Sequence, residues 1–81
     1  MKTFFTPHFQ RSYKKLPEET KKAFRKQLSY LLENIRHPSL HTKKYDEAQN
    51  IWQARVTRDY RLYFQIENDT YILHDITAHK K

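Results

Sequence analysis

The sequence predicts a single α+β domain: an N-terminal strand, a helical hairpin and a three-stranded antiparallel meander, with the helices on one face of one sheet. Three observations predict this class. The chain has 81 residues, which is enough for one core. Apolar residues recur every three or four positions in the first half, as in amphipathic helices. In the last third they recur at every second position, as in strands, so residues 1–81 are expected to form one domain.

The first elements are a short strand and a short helix. Residues 2–5 are rich in aromatic side chains and suit an edge strand. Thr6 followed by Pro7 has the pattern of an N-cap and a first helical position. One face of this helix is apolar at i, i+4 and i+7, and is formed by Phe9, Tyr13 and Leu16. The helix is expected to end before Pro17, because proline disrupts a helix interior.

A second helix is expected to begin at Pro17, with Glu18 and Glu19 at the positive end of its dipole. Residues 36–38, Arg-His-Pro, have the pattern of its C-terminal end. Its apolar stripe consists of Phe24, Leu28, Leu31, Leu32 and Ile35. Its opposite face is basic and consists of Lys21, Lys22, Arg25 and Lys26. Residues 39–50 show little periodicity and are predicted to be a loop or a partial turn.

The alternation after residue 50 predicts a first hairpin with a loop at residues 57–59, Thr-Arg-Asp. This loop length pairs apolar residues throughout, for example Ala54 with Leu62. It also places Arg55 directly opposite Arg61 on the face that points away from the helices.

A second hairpin is predicted with a three-residue loop at residues 67–69, which places Arg61 opposite Asp75. A two-residue turn at Asn68 and Asp69 is the competing interpretation. It buries Tyr71 but also Asp75, and an unpaired buried carboxylate is costly. The three-residue loop is therefore preferred.

Missing residue types exclude several kinds of site. The chain has no cysteine, which excludes disulfides and thiolate metal sites. It also has no glycine, which excludes glycine-rich phosphate loops and dinucleotide motifs. His37 and His41 have the spacing of a helical metal pair, but Pro38 interrupts any such helix. Neither a metal nor another cofactor is expected, and left-handed turns are expected at asparagine and aspartate.

The chain carries a formal charge of +7, and all of the surplus lies before residue 46, where 11 basic and 3 acidic side chains give +8. A surplus of this size attracts polyanions and acidic protein segments. No apolar stretch approaches the ~20 residues that span a bilayer, and no signal peptide is evident, so a cytoplasmic location is expected.

Two arginines facing each other on a sheet repel by roughly 0.2–1 kcal/mol, so packing alone does not favour this pair. Guanidinium groups bind phosphate well, and His79 and Lys81 are expected on the same face. Such a set has the parts for RNA cleavage: a base, an acid and positive charge for the transition state. The alternative is that Arg55 and Arg61 are ordinary solvated residues bridged by Asp75.

Three stretches together resemble the RelE/ParE toxin superfamily of bacterial type II toxin–antitoxin systems. They are residues 52–62 (WQARVTRDYRL), residues 37–44 (HPSLHTKK) and residues 76–81 (ITAHKK). The resemblance covers essentially the whole chain. It implies an mRNA endonuclease that acts in the ribosomal A site, leaves a 2′,3′-cyclic phosphate and is neutralised by an antitoxin.

The resemblance also implies roles for four residues. Arg61 matches the arginine that stabilises the transition state, and Arg55 matches a residue that holds phosphate or moves a proton. His79 matches a C-terminal acid or base, and Lys81 falls where another branch has a catalytic arginine. Candidate RNA contacts are Lys21, Lys22, Arg25, Lys26, Lys43, Lys44, Arg58 and Tyr63. Trp52 and His74 are interpreted as core or boundary residues.

Two other functions remain open from the sequence. The ParE branch of the superfamily shares the fold and poisons DNA gyrase without cutting RNA. Many relatives continue past the last strand with an aromatic residue or a short helix, whereas this sequence ends at Lys81. An inactive relative that only binds antitoxin is the third possibility.

Overall fold

The computed structural model describes residues 1–79 and confirms the α+β class with two helices and one sheet. The helices are α1 (Pro7–Lys14) and α2 (Glu18–Glu33), and a 3-10 turn follows at Pro38–Leu40. The strands are β1 (Lys2–Phe5), β2 (Lys43–Asp46), β3 (Ile51–Arg55), β4 (Tyr60–Glu67) and β5 (Thr70–Ala78). Their order in the sheet is β1-β5-β4-β3-β2, with β1 parallel to β5 and all other pairs antiparallel.

The start of α1 follows the prediction. The Thr6 side chain accepts a hydrogen bond from the Phe9 N–H at 3.1 Å, and Pro7 occupies the first turn. The end of α2 differs, because the helix ends at Glu33 rather than at residues 36–38. Asn34 adopts an extended conformation there, with φ −163° and ψ 113°. The helix therefore stops before the proline, at a residue with low helix propensity.

The segment after α2 is held by His37. Its ring stacks on the Tyr30 ring with centroids 3.9 Å apart, and its Nδ1 accepts a hydrogen bond from the Ser39 N–H. Gln27 is buried and donates to the carbonyl oxygens of Ser39 and Arg55 at 3.0 and 2.8 Å. These bonds tie α2 to the 3-10 turn and to the end of β3.

The prediction of a loop or partial turn over residues 39–50 agrees with the 3-10 turn at Pro38–Leu40 but is wrong for β2. β2 was missed because its sequence, Lys-Lys-Tyr-Asp, has no apolar alternation. It is an edge strand with an irregularity between Lys44 and Asp46. Lys44 lies over the Trp52 ring, 4.6 Å from the centroid, and donates to the Asn50 side chain.

The first hairpin has the predicted register. Ala54 pairs with Leu62, and Arg55 pairs with Arg61. Ala54 and Leu62 are buried, so the alternation directs Arg55 and Arg61 to the opposite side, which we call the outer face. Trp52 is half-buried against the core, as interpreted from the sequence.

The predicted register of the second hairpin is wrong. The turn has two residues, Asn68 and Asp69, with Glu67 paired to Thr70. Asn68 has a left-handed conformation, which suits a tight hairpin turn. Arg61 consequently faces Thr77 rather than Asp75.

A β-bulge explains why this turn does not bury Asp75. Leu73 pairs with Phe64, and Asp75 pairs with Tyr63, so His74 is an extra residue in β5. The bulge reverses the alternation, because Leu73 and Ile76 are both buried while Asp75 is only half-buried. A two-residue turn buries Asp75 only if the alternation along β5 is unbroken.

The core lies between the helices and the inner face of the sheet. Leu32 is 40% exposed, so it does not widen the apolar stripe of α2 as expected. Within residues 1–79 the left-handed residues are His41, Asn50 and Asn68, of which two are the expected type. The largest fully buried side chains are Phe64, Leu31, Leu40, Leu62, Leu73 and Ile76. None of the helices in residues 1–79 is both long and apolar enough to cross a membrane.

Candidate functional site

An open cleft of about 400 Å³ lies on the outer face, where β2, β3 and β4 meet the end of β5. It is lined by His41, Thr42, Lys43, Gln53, Arg55, Arg61 and His79, and we call it the cationic cleft. Three of these side chains are basic and two are imidazoles. No carboxylate lies among the described residues that line it. Three of the four predicted catalytic residues, Arg55, Arg61 and His79, therefore border one cavity.

Arg61 is anchored by the first hairpin loop. Its Nη1 donates to the carbonyl oxygens of Thr57, Arg58 and Tyr60 at 2.8, 3.1 and 3.1 Å. No other nitrogen of this guanidinium donates to a described residue. The loop therefore fixes Arg61 through one nitrogen, and its Nε–H and Nη2–H groups stay available to an anion.

Arg55 lies directly opposite Arg61 in the sheet, but its guanidinium is held more loosely. Its Nη1 lies 3.5 Å from His41 Nε2, at the upper limit for a hydrogen bond. Like charges directly opposite in a sheet cost about 0.2–1 kcal/mol. The carbonyl dipoles around Arg61 offset part of this cost, whereas Arg55 has no such carbonyl partners among residues 1–79.

His79 and His41 enter the cleft from different elements. His79 follows β5, and its backbone N–H donates to the Asp59 carbonyl at 2.6 Å. His41 follows the 3-10 turn and has a left-handed backbone, with φ 47° and ψ 45°. The sequence predicts His41 only as a loop histidine. Its position before the basic pair Lys43 and Lys44 was the available signal.

Gln53 forms part of the cleft and was not singled out from the sequence. Gln53 is only 6% exposed, and its side chain forms no hydrogen bond with residues 1–79. Its cross-strand neighbours are Lys43 and Tyr63. The nearby Thr42 hydroxyl is buried and likewise has no hydrogen-bond partner in the described part of the chain. Two polar groups at this cleft thus have unused hydrogen-bonding capacity.

A second hollow of about 390 Å³ lies beside the cleft on the outer face. Its lining residues are Tyr45, Ile51, Tyr63, His74, Asp75 and Thr77, and we call it the tyrosine hollow. The rings of Tyr45 and Tyr63 meet edge to face with centroids 4.9 Å apart. Burial, and then the neighbouring Tyr45, raise the pKa of Tyr63, while Arg61 acts against this rise. Tyr63 therefore stays protonated at neutral pH.

Asp75 does not bridge the two arginines. Its Oδ1 accepts from the Ser12 hydroxyl at 2.7 Å, and its Oδ2 lies 3.1 Å from His8 Nε2. Both partners are on α1. The alternative interpretation, in which Asp75 neutralises Arg55 and Arg61, is therefore wrong. The two guanidinium groups have no acidic partner among residues 1–79.

The other predicted RNA contacts are dispersed. Lys43 lines the cleft, Tyr63 lines the tyrosine hollow, and Arg58 is in the first hairpin loop. Lys44 lies outside the cleft, where its ammonium contacts the Trp52 ring and donates to the Asn50 side chain. The basic residues of α2 lie in the helical layer, on the other side of the sheet: Lys21, Lys22, Arg25 and Lys26. Lys81 lies outside the described residues.

The cationic cleft has the chemistry to bind a phosphodiester and to move protons. Guanidinium groups present forked donors to phosphate oxygens, and imidazoles exchange protons near neutral pH. Within residues 1–79 no group of three histidine, aspartate or glutamate side chains is arranged to hold a metal ion. His74 is half-buried and hydrogen-bonded to Gln65 at 2.6 Å, so it is a boundary residue outside the cleft.

One family model and several solved structures match this chain. A family model described as "ParE toxin of type II toxin-antitoxin system, parDE" matches residues 4–80. A search of curated proteins finds no match. Among solved structures, a YoeB/ParE toxin from Agrobacterium tumefaciens superimposes with a TM-score of 0.82 at 10% identity, covering 99% of this chain and 100% of that one.

Two further structures contain an antitoxin. The YoeB–YefM complex from Staphylococcus aureus has a TM-score of 0.79 at 14% identity, with 99% of this chain and 98% of that chain covered. The RelBE2 toxin–antitoxin complex from Mycobacterium tuberculosis has a TM-score of 0.74 at 21% identity, with 96% of each chain covered. At these identities the structures show a shared fold.

Proposed function

We propose that this chain, which belongs to the ParE toxin family of type II toxin–antitoxin systems, arrests growth by cutting messenger RNA on the ribosome. The observation that carries the proposal is the cationic cleft. It brings Arg55, Arg61 and His79 to one surface without a carboxylate among the described lining residues. A cleft of this kind binds the negatively charged phosphodiester. It also stabilises the additional negative charge that develops in the transition state. Cleavage on ribosomes would take place in the cytoplasm.

The reaction is attack by a ribose 2′-hydroxyl on the adjacent phosphorus, which leaves a 2′,3′-cyclic phosphate and a 5′-hydroxyl. The RNA supplies the nucleophile, so the protein needs only to orient the phosphate, stabilise charge and move protons. Arg61, fixed by the hairpin loop, contributes a positioned donor group. Arg55 is free to turn from His41 to a phosphate oxygen, because its present contact is long.

The decisive measurement is primer extension on an mRNA translated in vitro with purified protein. Ribosome-dependent cuts with 2′,3′-cyclic phosphate ends support the proposal, and intact mRNA overturns it. Arg61→Ala is expected to lower the cleavage rate by about 10²–10³, the usual effect of removing one transition-state donor. Arg61→Lys tests whether the paired N–H donors of the guanidinium are needed, because lysine keeps the positive charge without them.

Arg11→Ala is the matched control, because Arg11 is an exposed arginine on α1 outside the cleft. It should cut like the parent protein. Thermal melting of each variant separates lost chemistry from lost folding, since Arg61 also supports the hairpin loop.

Inhibition of DNA gyrase is the second candidate, because the matching family model is that of ParE toxins. A supercoiling assay with purified gyrase and plasmid separates the two functions. Loss of supercoiling together with uncut mRNA favours the second candidate. Cut mRNA with unchanged supercoiling favours the first.

We also propose where a cognate antitoxin binds. A groove of about 530 Å³ runs between β1, α1 and α2, and its wall is largely aromatic. It is lined by Phe5, Phe9, Gln10, Tyr13, Lys14, Phe24, Arg25 and Leu28. Arg25 donates to the Tyr13 hydroxyl at 3.1 Å, and Lys21 lies 5.6 Å from the same ring. The basic rim selects an acidic segment with apolar anchors, which folds on binding.

Leu28→Lys tests this groove. We expect at least tenfold weaker antitoxin binding and unchanged toxicity of the free protein, because a charge at the apolar wall repels the anchors. Leu32→Lys is the control, since Leu32 is on the same helix but does not line the groove. Equal antitoxin affinity for both variants would contradict the proposed groove.

A further inference from the structure

Two imidazoles border the cationic cleft, and only one of them was expected there. We infer that His41 is the general base of the cleavage reaction and that His79 is its general acid. The inference rests on the proposed nuclease function and assigns the proton transfers within it. It starts from the side chains that line the cleft, from the contact between His41 and Arg55, and from the backbone of His41.

The composition of the cleft restricts which group accepts a proton. Guanidinium and ammonium groups are donors only, and neither the amide of Gln53 nor the hydroxyl of Thr42 is a base at neutral pH. No carboxylate lines the cleft among the described residues. Among the described lining residues, the two imidazoles are therefore the proton acceptors, and transphosphorylation needs one base and one acid.

The contact with Arg55 distinguishes the two imidazoles. His41 Nε2 lies 3.5 Å from Arg55 Nη1. Because a guanidinium has no acceptor, a hydrogen bond here requires Nε2 of His41 to carry the lone pair. The contact is long and exposed, so a phosphate oxygen replaces it at little cost. When Arg55 turns to the phosphate, the lone pair of His41 becomes free at the same edge of the cleft.

The backbone of His41 supports a functional role. A left-handed conformation costs a residue other than glycine about 1–2 kcal/mol. The residue lies between the 3-10 turn and β2, and its strain persists without any other side-chain hydrogen bond to residues 1–79. Strain of this kind concentrates at functional sites. Here it places the exposed imidazole at the edge of the cleft, 3.5 Å from Arg55.

The 2′-hydroxyl gives its proton to His41 Nε2 while the 2′-oxygen forms a bond to phosphorus. The bond from phosphorus to the 5′-oxygen breaks, and its electron pair stays on that oxygen. The imidazolium of His79 protonates the leaving oxygen, which gives a 5′-hydroxyl. Arg55 and Arg61 bind the two non-bridging oxygens, and solvent restores both imidazoles.

A leaving-group substitution separates the two roles. The substrate is an mRNA on programmed ribosomes in which the bridging 5′-oxygen at the cut site is replaced by sulfur. A thiolate leaves without a proton, so a variant that lacks only the acid regains its rate on this substrate. A variant that lacks the base does not. Single-turnover rates are measured on the sulfur substrate and on its all-oxygen counterpart.

His41→Asn is the informative variant, because asparagine tolerates the left-handed backbone and has no basic nitrogen. We expect a loss of about 10²–10⁴ on both substrates, the usual range for a general base. His79→Gln is expected to lose a similar factor on oxygen and to return within about tenfold of the parent on sulfur. His8→Asn, an exposed histidine on α1, should match the parent on both.

Each other outcome overturns the assignment. A His41→Asn variant that cuts the oxygen substrate within threefold of the parent rate removes His41 from catalysis. Recovery of this variant on sulfur makes His41 the acid, and failure of His79→Gln to recover removes His79 from that role. A parent protein that cuts neither substrate contradicts the nuclease function itself. That result is distinct from an active parent with an unaffected His41→Asn variant.

Discussion

The cationic cleft and the tyrosine hollow lie side by side on the outer face, but only the hollow provides partners for its charged side chain. In the hollow, Asp75 is satisfied by Ser12 and His8 from α1. In the cleft, Arg55 and Arg61 face each other with no acidic partner among residues 1–79. Both regions use the same strands, so strand pairing does not explain the difference. Uncompensated charge is what a site for a polyanion requires, and compensated charge is what a stable scaffold requires.

The largest effect on RNA cleavage is expected from a carboxylate in the cleft, because it would compensate the charge of the two arginines. Gln53→Glu places an anion beside Arg55 and Arg61, where it competes with the phosphate. A charge at contact distance contributes between about 1 and 4 kcal/mol near a protein surface. We therefore expect RNA cleavage to fall about 100-fold, which corresponds to ~2.7 kcal/mol. Single-turnover cleavage on programmed ribosomes measures it.

Gln65→Glu is the matched control for that substitution. Gln65 is also on the outer face, beside the hollow, and its side-chain oxygen already contacts His74. Cleavage within threefold of the parent is expected. Equal losses for the two glutamate variants would mean that overall charge matters and that the cleft does not.

Removing the compensated charge should lower stability rather than activity. Asp75→Ala leaves the Ser12 hydroxyl and the Ile76 N–H without their acceptor. We expect the free energy of unfolding to fall by about 1–3 kcal/mol, the cost of unsatisfied polar groups. Urea denaturation measures this change. A tenfold loss of cleavage in a variant that remains folded would contradict the division between the two regions.

Removing one of the two facing arginines should slightly stabilise the fold. Arg55→Gln relieves the cross-strand repulsion, so the free energy of unfolding should rise by about 0.2–1 kcal/mol while cleavage falls. Arg61→Gln should instead destabilise, because Arg61 donates to three loop carbonyls. Urea denaturation of both variants decides the point. Equal shifts of the same sign would contradict the unequal anchoring of the two residues.

The smallest effect is expected in the core, and only at alkaline pH. Burial raises the pKa of Tyr71 above 10.0, so the unfolded chain ionises first as the pH rises. The stabilisation from the neutral phenol is complete below pH 10.0 and is lost as the pH rises through the raised pKa of the folded state. The melting temperature of Tyr71→Phe should decline less steeply above pH 10.0 than that of the parent. Parallel declines would show that other groups govern alkaline unfolding.

The sequence predicted the elements with regular periodicity and missed those without it. α1 and the first hairpin follow unbroken apolar patterns, and Arg55 faces Arg61 as expected. β2 has no apolar alternation, so its pairing with β3 becomes evident only in the assembled sheet. The bulge at His74 inserts one residue that no local preference marks.

The same limits apply to the candidate site. Strand alternation was sufficient to place Arg55 and Arg61 on the outer face. His79 borders the cleft although the predicted register of β5 was wrong, because the bulge at His74 returns the last residues of β5 to the predicted face. His41 and Thr42 enter the cleft through the turn before β2, whose path depends on the bonds from Gln27 to Ser39 and Arg55. These contacts join parts of the chain that are distant in sequence. Periodicity alone does not encode them.

The pairing of β1 with β5 joins the first and last strands of the described residues, with Lys2 opposite Thr70. β1 is an edge strand that pairs with β5 alone, so its place in the sheet depends on a contact between residues far apart in sequence. Contacts of this kind close a long loop and slow folding. We therefore expect the β1 edge, and the groove that it borders through Phe5, to be completed after the two hairpins of the sheet.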